Sequence, residues 1–290
     1  MKYITLADLS ETIRKNIWKI PKDIDFVIGV PRSGTMVASI ICSYLNVPLI
    51  DVNSYIAGLE PSGGRRLIYY NQTHKKSGKA LVVEDTVYYG TTINRAKKLL
   101  ESCNRGDQLI YMCAYLEGPG ENAVDFYLED VRQYTNNFTD IVYYEWNLFQ
   151  HGDIVTKRWM CDIDGVFLPD PPDERNEEEY IKYIQTAPSL FVPLTPVGAL
   201  VTYRLIKYAD ITTKWLADNG IRFDKLYMFK ANSWEERHNS GVTPEQCKAN
   251  AYKSYPEYNL FIESSDYQAK LINQLSGKPV YCVETNKVYQ

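Results

Sequence analysis

The strongest constraint on the fold of this chain is an alternation of short apolar runs with amphipathic stretches, which occurs in two series. The first series predicts buried strands at 26–30, 48–52, 80–84 and 108–115. It also predicts helices at 35–45 and 91–102. Strands that alternate with helices indicate βα units on a parallel sheet, which binds ligands at the carboxyl ends of its strands.

The second series begins at Trp159. It predicts strands at 159–163, 199–202, 226–229, 260–262 and 280–283, and helices at 205–219, 244–255 and 266–275. Gly152 and Asp153 interrupt the pattern between the two series. We therefore expect two domains, residues 1–152 and residues 153–290, in an α/β protein with two doubly wound parallel sheets.

Composition excludes several classes of protein. The formal net charge of −4 argues against a dedicated nucleic-acid binder, because phosphate backbones require a basic face. The six cysteines form no CxxC pair, which favours reduced thiols over disulfides or zinc. Acidic residues near the N-terminus and the lack of an uncharged apolar run of about 18 residues predict a cytoplasmic protein with no transmembrane segment.

The first chemically informative motif is LVVEDTVYYGTT at 81–92. An apolar strand runs into two carboxylates, Glu84 and Asp85, and Gly90 then opens a helix. Carboxylates at a strand end can accept hydrogen bonds from the two vicinal hydroxyls of a ribose. Backbone N–H groups at a helix N-terminus bind phosphate. The motif therefore predicts a site for a 5-phosphoribose.

This motif resembles that of the type I phosphoribosyltransferases. The resemblance implies that Glu84 and Asp85 hold the ribose hydroxyls of phosphoribosyl diphosphate. It also implies a 5-phosphate loop, made of Thr86, Val87, Tyr88, Tyr89, Gly90, Thr91 and Thr92. Tyr89 departs from the family, which usually has threonine there, so one hydroxyl contact is in doubt.

Two further segments fit the same resemblance. GVPRSGT at 29–35 is similar to the family's diphosphate loop, with Arg32, Ser33 and Gly34 facing the leaving group. The glycine-rich segment 54–78 resembles the family's flexible hood, in which Arg65 and Arg66 would meet the diphosphate. A solvated basic loop is the alternative for either arginine. The resemblance also implies Mg²⁺ on the diphosphate, bound mainly through substrate and water oxygens.

The second informative motif is WMCDIDGVFLPD at 159–170, an apolar strand that ends in Asp-x-Asp-Gly-Val. Carboxylates two residues apart on an extended strand point the same way, and the glycine allows a sharp turn. The motif resembles the first motif of the haloacid-dehalogenase-like phosphatases. The resemblance implies that Asp162 is a nucleophile that forms an aspartyl-phosphate and that Asp164 is the general acid and base.

The remaining motifs of that family follow in order. Thr202 would bind the phosphoryl group, and Lys248, with Lys253 in reserve, would neutralise charge on the aspartate and phosphate. The implied Mg²⁺ ligands are Asp162, Asp164, Glu263 and Asp266. The family commonly has adjacent aspartates where this chain has Ser264 and Ser265, so which of Glu263 and Asp266 binds the metal stays open.

Spacing predicts an open phosphatase site. About 37 residues separate Asp164 from Thr202 and about 45 separate Thr202 from Lys248, and core helices need part of each interval. A large cap domain therefore does not fit, and we expect a capless Rossmann-like fold suited to a bulky phosphate ester.

Together the motifs predict an enzyme that attaches 5-phosphoribose to an acceptor and then removes the 5-phosphate. This pairing resembles bacterial ribofuranosylation systems of polysaccharide synthesis, which implies a glycan or lipid-linked glycan acceptor. A homodimer is compatible with the sequence. Two alternatives stay open, namely a salvage phosphoribosyltransferase with a nucleotidase domain and a non-catalytic phosphoribosyl-diphosphate sensor. Measuring diphosphate release with free bases and with glycan acceptors distinguishes the first alternative from the predicted function. Retention of Asp162, Asp164, Thr202 and Lys248 weighs against the second.

Overall fold

The computed structural model describes residues 1–65, 77–103, 105–135 and 141–290. Its contacts divide the chain into two compact units, Met1–Trp146 and Asn147–Gln290. The boundary predicted near residue 152 falls a few residues after this division. Within the described residues, no helix has the length and apolar character needed to cross a membrane.

The first unit is built on parallel β-strands. They are β1 (Lys2–Ile4), β2 (Phe26–Gly29), β3 (Leu49–Asp51), β4 (Lys79–Val87), β5 (Gln108–Leu116), β6 (Phe126–Asp130) and β7 (Val142–Tyr144). Five of them form a sheet in the order β3-β2-β4-β5-β6, and β1 pairs with β7 separately. Every pairing in the central sheet is parallel, so the carboxyl ends of β2 and β4 meet at one edge.

Helices cover both faces of this sheet. They are α1 (Leu6–Asn16), α2 (Ser33–Leu45), α3 (Val52–Ile56) and α4 (Thr91–Cys103). Apolar residues of α1 and α2 pack with Leu81 and Val83 on one face, while those of α3 and α4 pack with Ala80 and Val82 on the other. The strand period of two residues thus divides β4 between two cores, which is the doubly wound arrangement expected from the sequence.

The second unit contains a six-stranded sheet. Its strands are β8 (Trp159–Cys161), β9 (Val197–Leu205), β10 (Phe223–Phe229), β11 (Leu260–Glu263), β12 (Val280–Cys282) and β13 (Lys287–Tyr289). Their order is β10-β9-β8-β11-β12-β13, and only β13 is antiparallel to its neighbour. The chain starts in the middle at β8 and later returns to its other side at β11. Sheets of this order bind ligands where the winding reverses, beyond the carboxyl ends of those two strands.

The helices of the second unit are α5 (Asp153–Thr156), α6 (Glu177–Thr186), α7 (Ala209–Asp218), α8 (Trp234–Asn239), α9 (Pro244–Ser254) and α10 (Asp266–Ser276). Tyr252 of α9 and Ile272 of α10 pack on one face of the sheet. Helix α6 buries Tyr180 and Ile184 against Tyr208, in the turn that leads into α7. The interval between Asp164 and Thr202 therefore contributes a core helix of the unit itself.

Candidate functional site

In the first unit the two predicted ribose-binding carboxylates lie buried inside β4, which continues past them to Val87. Trp146 Nε1 donates a hydrogen bond to Asp85 Oδ2 at 2.6 Å, and the backbone N–H of Asp85 donates to Glu84 Oε1 at 3.2 Å. Glu84 Oε2 is buried and has no hydrogen-bond partner within the described part of the chain. A buried acceptor without a donor costs free energy, and a ribose hydroxyl would supply that donor.

Burial is the main reason that the pKa of Glu84 rises to about 9, and the neighbouring charge of Asp85 adds to the rise. At neutral pH the carboxyl of Glu84 therefore carries a proton in the free protein. Two adjacent carboxyls of which one is neutral suit a diol, because such a pair both accepts and donates hydrogen bonds.

The predicted phosphate loop joins β4 to α4. Gly90 has a φ of +76°, and a Cβ atom there would lie 2.4 Å from Cβ of Ala123, so only glycine fits. Gly120 supports the loop from the neighbouring segment by donating its N–H to the carbonyl of Tyr88 at 2.8 Å. Gly118 lies so close to Tyr88 that a Cβ would meet the ring at 2.8 Å. The sequence motifs do not include this support from residues 118–120.

The predicted diphosphate loop joins β2 to α2, next to the acid pair. A Cβ on Gly34 would lie 2.4 Å from the carbonyl oxygen of Val83, so α2 approaches β4 as closely as a backbone can. Arg32 and Ser33 occupy the start of α2, and the Pro31–Arg32 peptide bond is cis. Thr35 Oγ1 is buried with no hydrogen-bond partner among the described residues. The loop thus places an unsatisfied hydroxyl near the sheet edge that carries Glu84.

The segment predicted as a hood is described only in part. Its first residues form α3, and Ser62 pairs with Leu49 at the edge of the sheet. Arg65 is exposed to solvent, and Arg66 lies outside the described residues.

In the second unit Asp162, Lys248 and Glu263 form a buried cluster at the carboxyl ends of β8 and β11. Lys248 Nζ donates to Asp162 Oδ2 at 2.6 Å and to Glu263 Oε2 at 2.7 Å. Gln268 Oε1 accepts a third hydrogen bond from the same ammonium at 2.9 Å. All three donor positions of Lys248 are used, which makes burial of its charge tolerable.

Burial and the neighbouring charges shift the pKa values of this cluster in opposite directions. Burial raises the pKa of Asp162 above its usual value, and the ammonium of Lys248 opposes the rise. Burial lowers the pKa of Lys248, but attraction to Asp162 and Glu263 outweighs that effect and raises it above its usual value. The ammonium is therefore fully charged at neutral pH and can neutralise an anion bound at Asp162.

Asp164 is held by an arginine that the motif analysis did not single out. Arg204 Nη2 donates to Asp164 Oδ1 at 2.6 Å, and Nε donates to Oδ2 at 3.0 Å. Tyr183 donates its hydroxyl to the same Oδ1 at 2.9 Å. Thr202, the predicted phosphoryl-binding residue, is buried two residues before Arg204 on β9 and accepts the backbone N–H of Arg204. The sequence signal that could have identified Arg204 is its position two residues after Thr202, the threonine of the motif.

The structure does not bring every predicted residue to this cluster. Asp266 forms an ion pair with Lys270 at 2.5 Å and accepts hydrogen bonds from Thr285 and Tyr289, and these contacts lower its pKa to about 2. Lys253, the reserve lysine, is exposed. Glu263 rather than Asp266 thus lies beside Asp162, because Glu263 ends β11 whereas Asp266 begins α10.

The predicted metal ligands are hard oxygen donors of the kind that Mg²⁺ prefers. Within the described ranges, however, no group of three or more acidic, histidine or cysteine side chains is arranged as a ready metal site. Asp162 and Glu263 share Lys248, and Asp164 is bound to Arg204. The carboxylates of Asp162, Asp164 and Glu263 have the chemistry that the ion prefers. In this structure each of them pairs with a lysine or arginine side chain.

Comparison with known proteins adds two kinds of finding. No curated protein matches the sequence. Orotate phosphoribosyltransferase from Aeropyrum pernix is 18% identical, with 44% of this chain and 71% of that chain covered and a TM-score of 0.32. Purine phosphoribosyltransferase from Pyrococcus horikoshii is also 18% identical, with coverages of 50% and 92% and a TM-score of 0.35.

A chain of a solved Pnkp1/Rnl/Hen1 complex is 12% identical to this one over 97% of this chain and 94% of that chain, with a TM-score of 0.34. Likenesses at these TM-scores carry no functional assignment. The family model described as a phosphoribosyl transferase domain matches residues 3–145, which is nearly all of the first unit. The similarity to the phosphoribosyl transferase domain therefore falls on the first unit and covers just under half of the chain.

Proposed function

We propose that this chain is a bifunctional enzyme that builds a ribofuranosyl group on an acceptor. The first unit would transfer 5-phosphoribose from phosphoribosyl diphosphate, and the second unit, which we assign to the haloacid-dehalogenase-like phosphatases, would remove the 5-phosphate. The observation that carries the transferase half is the buried, unsatisfied Glu84 Oε2 beside Asp85, in a domain matched by the phosphoribosyl transferase model.

In the transfer step, Glu84 and Asp85 would hold the two ribose hydroxyls, while the loop from Thr86 to Thr92 would hold the 5-phosphate. The loop at Arg32–Gly34 would bind the diphosphate that leaves C1. When bound, Mg²⁺ would neutralise the charge of that diphosphate. Fixing the sugar at both ends orients C1 toward the acceptor, which is the main contribution that positioning residues make to rate.

In the phosphatase step, a carboxylate oxygen of Asp162 would attack phosphorus and displace the ribose 5-oxygen. Lys248, already 2.6 Å from Asp162, would stabilise the charge that gathers on the transferring phosphoryl group. Asp164 would donate a proton to the leaving 5-oxygen. It would then accept a proton from the water that hydrolyses the aspartyl-phosphate on Asp162. Asp162, Asp164 and Glu263 are the residues that would hold Mg²⁺ there, where it would neutralise the phosphoryl oxygens.

The acceptor we propose is a glycan or lipid-linked glycan, because a fused phosphatase would undo the product of nucleotide salvage. Helix α6 occupies the interval in which a cap would be inserted and packs into the core of its own unit. An uncapped site suits an ester whose remote parts supply binding energy.

The proposal is tested by incubating the full chain with phosphoribosyl diphosphate, Mg²⁺ and glycan acceptors and measuring product masses. Calorimetric titration of the donor into Glu84→Gln/Asp85→Asn then tests the site. We expect this double variant to fold but to lose donor binding, because Asp85 loses its charged acceptor oxygens and Glu84 loses its carboxyl group, so both hydrogen bonds to the diol change. Unchanged donor affinity in the variant contradicts the site assignment.

A further inference from the structure

The second unit contains a cavity of about 370 Å³ to which the proposed reaction assigns no role. Its walls include the side chains of Tyr203, Trp234, Arg237 and His238, and residues 241–244 complete it. This volume lies near the lower end of the range of roughly 300–1,000 Å³ that small-molecule sites usually have. The cavity is therefore large enough for one ring with its substituents.

One wall of the cavity belongs to the strand that carries the phosphatase motif. Tyr203 lies between Thr202 and Arg204 on β9. Val201 of β9 lies in the same core cluster as Tyr252 of α9. Because side chains two positions apart on a strand share a face, Tyr203 points to the face that α9 covers, and Thr202 and Arg204 point to the other.

A second wall belongs to the helix that carries the lysine of the buried cluster. Pro244 begins α9, and Lys248, whose Nζ is 2.6 Å from Asp162 Oδ2, follows four residues later. Residues four apart lie on the same side of an α-helix, separated by about 6 Å along its axis. The cavity therefore adjoins the proposed phosphoryl site on the side from which Lys248 reaches Asp162.

The charged side chains at the cavity are paired with one another. Arg237 Nη2 lies 2.5 Å from Glu174 Oε2, and the two side chains are 11% and 10% exposed. Arg175, whose guanidinium lies 6.0 Å from the ring centroid of Trp234, forms an ion pair with Asp173. Each arginine thus has its own carboxylate, so the wall carries no excess positive charge for an anionic ligand.

The aromatic side chains of the wall are held in place by their own contacts. The rings of Trp234 and His238 stack with centroids 4.8 Å apart and planes 9° from parallel. Tyr203 donates its hydroxyl to the carbonyl of Val242 at 2.5 Å, and its carbonyl accepts a hydrogen bond from Arg237 Nη1 at 2.7 Å. Fixed side chains lose little conformational entropy when a ligand binds.

This combination of groups favours a sugar ring. Aromatic rings pack against the apolar C–H face of a sugar. Arg237 presents five N–H groups, of which Nη1 and Nη2 each use one on Tyr203 and Glu174, and the guanidinium can donate further hydrogen bonds to hydroxyl groups. A neutral ring edged with hydroxyls matches both features and needs no charged partner.

We propose that this cavity binds a neutral sugar ring of the acceptor while the 5-phosphate is removed. The inference rests on the proposed phosphatase function and deepens it, because it names the part of a large ester that the site recognises. Trp234 and His238 would hold that ring, and its binding energy would favour the phosphoribosylated acceptor over free ribose 5-phosphate.

Three esters that share a 5-phosphoribosyl group test the proposal on the full chain with Mg²⁺. They carry different groups at C1, namely a hydroxyl in ribose 5-phosphate, adenine in adenosine 5′-monophosphate, and methyl β-D-galactopyranoside in a synthetic disaccharide. Phosphate release gives kcat/KM for each ester with the wild type, Trp234→Ala, Trp234→Phe, His238→Ala and a control, Trp18→Ala. Trp18 belongs to the first unit and is 72% exposed.

The readout is the ratio of kcat/KM for the disaccharide ester to kcat/KM for ribose 5-phosphate. We expect the ratio to exceed 1 in the wild type and to fall by about 10-fold in Trp234→Ala, the order expected for losing an aromatic contact and its buried area. Trp234→Phe should keep part of the ratio, His238→Ala should lower it, and Trp18→Ala should match the wild type. A purely structural effect of Trp234 would lower both values and leave their ratio unchanged.

The outcomes separate the cavity from the phosphatase itself. If the wild type hydrolyses none of the three esters, the proposed phosphatase function fails and the sugar subsite fails with it. If it hydrolyses them and the ratio is the same in Trp234→Ala, His238→Ala and the wild type, the cavity is not a sugar subsite, although the phosphatase stands. A loss in Trp234→Ala confined to adenosine 5′-monophosphate would overturn the sugar in favour of a nucleobase.

Discussion

Arg204 binds Asp164 through two N–H groups, with Nη2 and Nε each directed at a different carboxylate oxygen. Arg204 is 2% exposed, and its Nη1 donates a hydrogen bond to Thr212 Oγ1 at 3.2 Å. A buried bidentate pair fixes the carboxylate in position as well as in charge. The predicted acid-base residue of the phosphatase is thus oriented by β9, the strand that also carries Thr202.

This pairing predicts that Arg204→Lys lowers phosphatase kcat by about 100-fold, the order expected when a catalytic group shifts by about an ångström. Lysine keeps the charge but loses the planar fork that matches a carboxylate. The readout is phosphate release from a phosphoribosylated acceptor, with diphosphate release as the internal control for the first unit. Arg175→Lys, at an exposed pair with Asp173, is the matched variant and should be neutral. Equal kcat in both variants would remove Arg204 from the proposed site.

The raised pKa of Glu84 predicts a pH-dependent cost to stability. Its pKa in the folded protein is about 9, above its ordinary value near 4.5, so the unfolded chain loses this proton first as pH rises. Stability therefore falls between these two values. Glu84→Gln should raise Tm relative to the wild type at pH 8 and have little effect at pH 4, as measured by thermal unfolding. Glu101→Gln, an exposed position on α4, is the control. A Tm difference independent of pH would show that Glu84 does not titrate as described.

The two proposed activities should be separable by substitution. Asp162→Asn removes the proposed nucleophile from the second unit and leaves the acid pair of the first unit intact. The variant should accumulate an acceptor product that retains one phosphoryl group, detected by mass spectrometry, while diphosphate release continues at the wild-type rate. Release of fully dephosphorylated product at the normal rate would exclude the second unit as the phosphatase.

The proposal that no cap closes over the phosphatase site predicts a preference for large esters. Helix α6, in the interval between Asp164 and Thr202, packs on the core of its unit. Closure normally supplies orientation and desolvation, and an open site must draw that energy from remote parts of the substrate. We expect a higher kcat/KM for a phosphoribosylated acceptor than for ribose 5-phosphate, measured on the full chain carrying Glu84→Gln and Asp85→Asn. Equal values would favour the salvage alternative.

The sequence by itself determined most of the secondary structure and the edges at which the predicted residues lie. The apolar runs at 80–84 and 108–115 became β4 and β5, because a strand buried on both faces must be apolar along its length. Strands β1 (KYI) and β13 (KVY) were not predicted, since each begins with a lysine and is too short to show an apolar run. Lys248 was identified from motif order and lies within hydrogen-bonding distance of Asp162.

Only the tertiary structure decided which polar groups meet. Trp146 reaches Asp85 across 61 positions and Arg204 reaches Asp164 across 40, and no local pattern specifies such pairings. Burial in the folded unit also raises the pKa of Glu84 to about 9, because desolvation depends on atoms brought together from distant parts of the chain. Sequence therefore supplies the groups and their strand ends, whereas packing sets their partners, their protonation and the chemistry that they can perform.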